Sequence, residues 1–96
     1  MALFVARHQH EAESCPAKDP EMGRMLLGHV SEENAAKYGI SIQGEAVIEG
    51  QHTMYMILDA EDGGKVEEFM APFAQAGSVE VLPATHCATV VERAGC

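Results

Sequence analysis

Three histidines and one cysteine are the residues in this chain whose types and spacing could do chemistry. His8 and His10 stand one residue apart in "RHQHEAESCP", residues 7–16, and Cys15 follows five positions later. On a strand, residues i and i+2 point the same way with Cα atoms roughly 6.5–7 Å apart. That spacing suits two imidazoles bound cis to one ion. A third imidazole, His52, opens the apolar run "HTMYMIL". Three nitrogens on one side of an ion leave positions open for water or substrate. Cys15 would add a thiolate, which favours zinc or copper over magnesium or calcium. Glu45 or Glu49 could supply an oxygen ligand, and Met54 a soft sulfur that would favour copper. His86-Cys87 is a second pair, able to join the site only through a bulge at Pro83 or a partner's last strand. His29 reads as a packed histidine beside a helical stripe.

For His8, His10 and His52 to meet, the elements around them must be arranged in one particular way. The first strand runs from about Ala2 to His10, followed by the loop 11–18. A helix begins with Asp19 as N-cap, Pro20 at the first helical position and Glu21 in the first turn. Met22, Met25, Leu26, His29 and Val30 form its apolar stripe. Ser31 can restart the helix as a new cap, and Gly39 is placed to stop it. Residues 40–59 read as a hairpin turning at Gly50-Gln51. A second helix starts near Asp62, with Val66, Phe69, Met70 and Phe73 inward and Pro72 expected to kink or end it. The last strand begins at "SVEVL" and is expected to continue past Pro83 through "THCATVVER".

The order β-α-β-β-α-β is the split βαβ, or ferredoxin-like, arrangement. It predicts an α+β fold in one domain, 1–96: a four-stranded antiparallel sheet in the order 4-1-3-2 with two helices on one face. A two-residue turn pairs Glu49 with His52, Val47 with Met54 and Glu45 with Met56. Because the third strand runs antiparallel to the first, His52 and Met54 are expected beside His8 and His10. Glu45, Val47, Glu49, His52, Met54, Met56 and Leu58 share one face. Ile42, Gly44, Ala46, Ile48, Thr53, Tyr55 and Ile57 share the other, whose small and β-branched residues suit packing under helices. The histidines are accordingly expected on the helix-free face, with Arg7 and Tyr55 on the opposite one.

Composition narrows the partners. The chain has 96 residues and a net charge of −9, from 15 acidic and 6 basic residues. Such a surface repels phosphate backbones and anionic membranes, which argues against nucleic-acid or membrane partners. The start "MALFVAR" lacks the basic region of a signal peptide, and no apolar run reaches the roughly 18 residues of a membrane span. The cytoplasm is the expected location. Three cysteines without CxxC spacing argue against a disulfide framework. No GxSxG, Walker A or GxGxxG sequence is present.

"LFVARHQH", "EENAAKYGI" and "EEFMAPFAQAGSVEVLPA" together resemble the small ferredoxin-like domains that form dimeric α/β barrels, in particular short families with nickel-binding members. The resemblance implies a homodimer with two sheets packed face to face. Some relatives of that kind are oxygenases or isomerases acting on small organic molecules, and some bind metals. The leading expectation is therefore a small transition-metal-binding protein, holding copper, zinc, nickel or iron, which could act on a small molecule or dioxygen. The alternative is a metal-free dimeric barrel that binds or converts a small hydrophobic molecule in a pocket lined by Phe4, Met54, Met56 and Leu58. A structural module without a ligand is the third reading.

Overall fold

A computed structural model describes residues 1–96. The strands are β1 (Ala2–His10), β2 (Ser41–Ile48), β3 (Thr53–Ala60) and β4 (Gly77–Ala84). The helices are α1 (Pro20–His29), α2 (Glu32–Lys37), α3 (Gly63–Ala76) and α4 (Cys87–Glu92). The strands form one antiparallel sheet in the order β2-β3-β1-β4, the expected 4-1-3-2 read from the other edge. The fold is α+β and ferredoxin-like. No helix is long and apolar enough to cross a membrane.

Local signals explain the first helical segment. The Asp19 carboxylate accepts from the Glu21 backbone N–H at 2.9 Å, with Pro20 at the first position, so α1 starts as its sequence indicates. Ser31 does restart the helix: its hydroxyl accepts from Asn34 N–H, and α2 follows. Gly39 stops it with a φ of +73°, a conformation that costs glycine little. The expected α1 stripe is only partly used. Leu26 and Val30 pack against the core, while Met22 and Met25 are exposed, because α1 lies at the rim and not across the sheet.

Helix α3 buries Val66, Phe69, Met70 and Phe73, the i, i+3, i+4, i+7 set. It does not end at Pro72 but runs on to Ala76. The proline forfeits the bond to the Glu68 carbonyl, but both residues are exposed, so water can satisfy that oxygen. Strand β4 ends at Ala84, and residues expected to extend it form α4 instead.

The hairpin register holds: Glu45 pairs with Met56 and Val47 with Met54. The loop is longer than the expected two-residue turn, since Ile48 and Thr53 are the last paired residues and 49–52 close it. A bulge at Gln43 moves Ile42 onto the face of Leu58, opposite its expected side.

The covered face is the reverse of the one expected. Phe4, Ala6, His8, Met54, Met56, Leu58 and Ala60 are buried with the α3 residues, whereas Tyr55, Ile57 and Leu82 on the opposite face are exposed. The histidine face therefore lies under the helices. Period-two patterning groups side chains onto faces but does not say which face a helix covers when both are apolar. Phe4, Met56 and Leu58 thus fill the core, not a ligand pocket between sheets.

Candidate metal centre

The site lies where β1 ends, β3 begins and β4 begins. His10 backbone N–H donates to the His52 carbonyl at 3.1 Å, which ties the end of β1 to the hairpin loop. The His10 and His52 rings lie 5.2 Å apart, inclined at 64°. His52 has a φ of +48°, an uncommon backbone state for a side chain with a Cβ, although histidine tolerates it better than most residues. At such positions strain is maintained by surrounding structure and often accompanies function. Gly77 begins β4 directly against the backbone of Gln9 and His10, and a methyl group there would overlap the Gln9 carbonyl oxygen. This close approach sets where His10 sits.

Cys15 reaches the corner from the segment after β1. It stands between two single 3₁₀ turns, Ala12–Ser14 and Pro16–Lys18, and its backbone belongs to both. Its N–H donates to the Ala12 carbonyl at 3.3 Å, and its own carbonyl accepts from Lys18 N–H at 3.2 Å. The turns bring the chain back toward β1. His10, Cys15 and His52 each offer a ligand atom, and those atoms all lie within 4.8 Å of one another. All three residues are half-buried. This group is geometrically able to hold a metal ion.

Hydrogen bonding fixes what His10 presents. The Ser78 carbonyl can only accept, so His8 Nδ1–H donates to it, at 3.0 Å. Neutral His8 then carries its lone pair on Nε2, which accepts from His10 Nδ1–H at 3.2 Å. His10 is left with a lone pair on Nε2, and that atom is buried with no hydrogen-bond partner. Burial holds the pKa of His8 below its ordinary value near 6.5, partly opposed by the Ser78 bond. His10 is lowered too, first by burial and then by repulsion from His8 and His52. Both shifts favour neutral rings, the form that ligates metals.

The remaining expected site residues fall into place around this core. His8 is only 3% exposed, and both its nitrogens are engaged, so it stands behind His10. The expectation that three histidines share one corner holds; what differs is the third member of the close group, which is Cys15. Met54 is buried beside His8 in the β1–β3 register, and Glu49 stands at the rim of the adjoining groove. Glu45, opposite Met56, is farther along the sheet and exposed. His86 and Cys87 follow the end of β4 that pairs with Leu3, at the opposite end of β1 from His10. The local signal that could have separated His8 from the His10–Cys15–His52 group was absent, because the Ser78 contact spans 70 positions of chain.

Two cavities meet at the His10–His52 pair. One, of about 480 Å³, is polar and bounded by Gln9, Glu11, Gln51 and Ser78. The other, of about 460 Å³, runs between the Cys15 segment, α1 and the β2–β3 hairpin, and is walled by Pro16, Leu26, Val47, Met54 and Phe73. The arrangement sets the two imidazoles between a polar cavity and an apolar one, with the thiol on the apolar side. No curated protein matches the chain. A family model described as a domain of unknown function, DUF3303, matches residues 3–95, and the chain belongs to that family.

Proposed function

We propose that this protein binds a transition metal through His10 Nε2, Cys15 Sγ and His52. The observation that carries the reading is the buried, unpartnered Nε2 of His10, on a ring that offers a ligand atom within 4.8 Å of those of a second imidazole and a thiol. A buried polar atom without a partner is costly, and coordination would remove that cost. Two imidazoles and one thiolate suit zinc or copper ahead of nickel or iron, because thiolate selects the softer and borderline ions. His8 would act from behind, orienting His10 and raising its basicity as outer partners of metal-bound histidines do. Three protein ligands leave a position for water or substrate, the arrangement of catalytic rather than closed structural sites. Such an ion would polarise a bound group or activate water.

The open sheet face supports a homodimer. Tyr55, Ile57 and Leu82 are exposed there, with Leu3 and Val5 half-buried beside them. These apolar side chains surround Arg7, which bonds to Tyr55 and Glu80; exposed apolar clusters rimmed by polar groups mark interaction sites, and a second copy of the chain would match this one.

The test is the metal content of protein purified without a histidine tag, beside Cys15→Ser and His52→Ala variants. Near-stoichiometric metal in the parent and its loss in both variants is the expected result. Parent protein that takes up none of copper, zinc, nickel or iron after incubation and dialysis would end this reading.

A further inference from the structure

We propose that the apolar groove beside the His10–Cys15–His52 group binds a small organic monoanion, with its carboxylate on the metal and its hydrocarbon body between α1 and the β2–β3 hairpin. This inference rests on the metal reading above and names the ligand class for the same site.

Three observations carry it. The first is position. His10, Cys15 and His52 all line the groove, so a ligand lying in it would reach an ion held by them. The second is lining and size. The groove of about 460 Å³ falls within the range of small-molecule sites, and Pro16, Leu26, Val47, Met54 and Phe73 give it apolar walls. A neighbouring groove of about 260 Å³ shares His8, Pro16, Leu26 and Phe73 and adds Met22 and Met25. Those methionines are exposed because α1 buries none of its residues. Flexible thioethers at a half-open groove can adapt to hydrocarbon of varied shape.

The third observation is charge. A divalent ion with two neutral imidazoles and one thiolate carries a net single positive charge, which one carboxylate neutralises. The protein as a whole is at −9, yet of the 14 residues lining the groove only Glu49 is acidic. The anion's route is nearly free of carboxylates on a surface otherwise rich in them. A neutral apolar molecule would gain nothing from the ion, and a compact anion such as acetate would gain nothing from the groove.

The experiment loads tag-free protein with Co²⁺, whose thiolate charge-transfer and d–d bands report the site directly. 4-Phenylbutyrate, acetate and 4-phenylbutanol are then titrated. We expect phenylbutyrate to shift the d–d bands and to bind at least roughly tenfold more tightly than acetate, the scale of discrimination a hydrophobic pocket supplies. Phenylbutanol should bind more weakly than phenylbutyrate, and metal-free protein should bind phenylbutyrate weakly. Val47→Ser and Leu26→Ser should retain the cobalt bands and erase most of the preference over acetate. Val47 is 60% exposed, so its replacement leaves the core intact. Equal affinity for phenylbutyrate and acetate, or phenylbutyrate binding unchanged without metal, would overturn the inference and leave the metal site standing. Absence of the cobalt–thiolate band would overturn both.

Discussion

His29 and His10 are both half-buried histidines on the helix side of the sheet, and they differ in what their rings have left to give. His29 Nε2–H donates to the Phe69 carbonyl at 2.7 Å, and its Nδ1 accepts from Asn34 Nδ2–H at 3.2 Å. Its ring stacks on Phe69 at 4.6 Å. Every polar atom is paired, so His29 serves packing. His10 is paired on one side only, through His8, and holds a buried lone pair on the other. Residue type and burial are the same in the two cases. The unpaired atom and its neighbours, a thiol and a second imidazole, separate a histidine able to ligate an ion from a structural one.

That contrast can be broken most sharply by substitution at both positions. His10→Ala should weaken metal binding by more than the roughly 10–100-fold typical of losing an outer partner, read by metal retention after dialysis. His29→Leu should keep the metal and destabilise the fold by about 1–3 kcal/mol, since it strands the Asn34 and Phe69 groups, read by chemical denaturation. If His29→Leu lost the metal as readily, the distinction would collapse. His8→Phe is the next largest effect. It removes the acceptor for His10 Nδ1–H while keeping a ring in the space, and should cost about 10–100-fold in metal affinity. Competition with a chromophoric chelator measures it, and unchanged affinity would show that His8 does not orient His10.

Gly77→Ala sharpens the comparison from the backbone side. A methyl against Gln9 and His10 should destabilise the protein by about 1–3 kcal/mol, as overpacking does. It should also lower metal affinity, while the His29 hydrogen bonds to Phe69 and Asn34, which do not involve β1 or β4, are kept. The smallest effect is on pH. His8 and His10 have folded-state pKa values below their ordinary 6.5. The unfolded chain therefore binds more protons as pH falls past that value, and metal-free protein should lose stability from pH 7 toward pH 5. Denaturation midpoints across that window should flatten in His8→Gln. An equally steep dependence there would assign it to other groups.

Much of this could be read from the residues themselves. Asp19-Pro20, Ser31 and Gly39 mark helix boundaries through local chemistry, and local chemistry survives folding. The pairing of Val47 with Met54 followed from the turn position alone, and with it the approach of His52 to β1. The covered face was not legible. The small and β-branched residues around Ala46 and Ile57 suggested packing under helices, but the face of Met54 and Met56 is the covered one; Glu45 shares it and stays exposed because β2 is an edge strand. Cys15 was legible as a candidate thiolate from its closeness to His10 in the chain, but the two short turns that fold it over the corner have little sequence signature. The outer position of His8 depends on Ser78, a partner visible only once β4 lies beside β1.

The two 3₁₀ turns that carry Cys15 bury no residue, and their hydrogen bonds are local backbone ones, with the second turn packed against α1. An ion bound to Cys15 would tie this segment to both the end of β1 and the hairpin loop, a cross-link between stretches of chain far apart in sequence. Metal binding would then be inseparable from ordering residues 11–19. Amide protons there should exchange quickly in the metal-free protein and slowly in the loaded one. The metal would thereby complete the fold at this corner and form one wall of the groove in the same step.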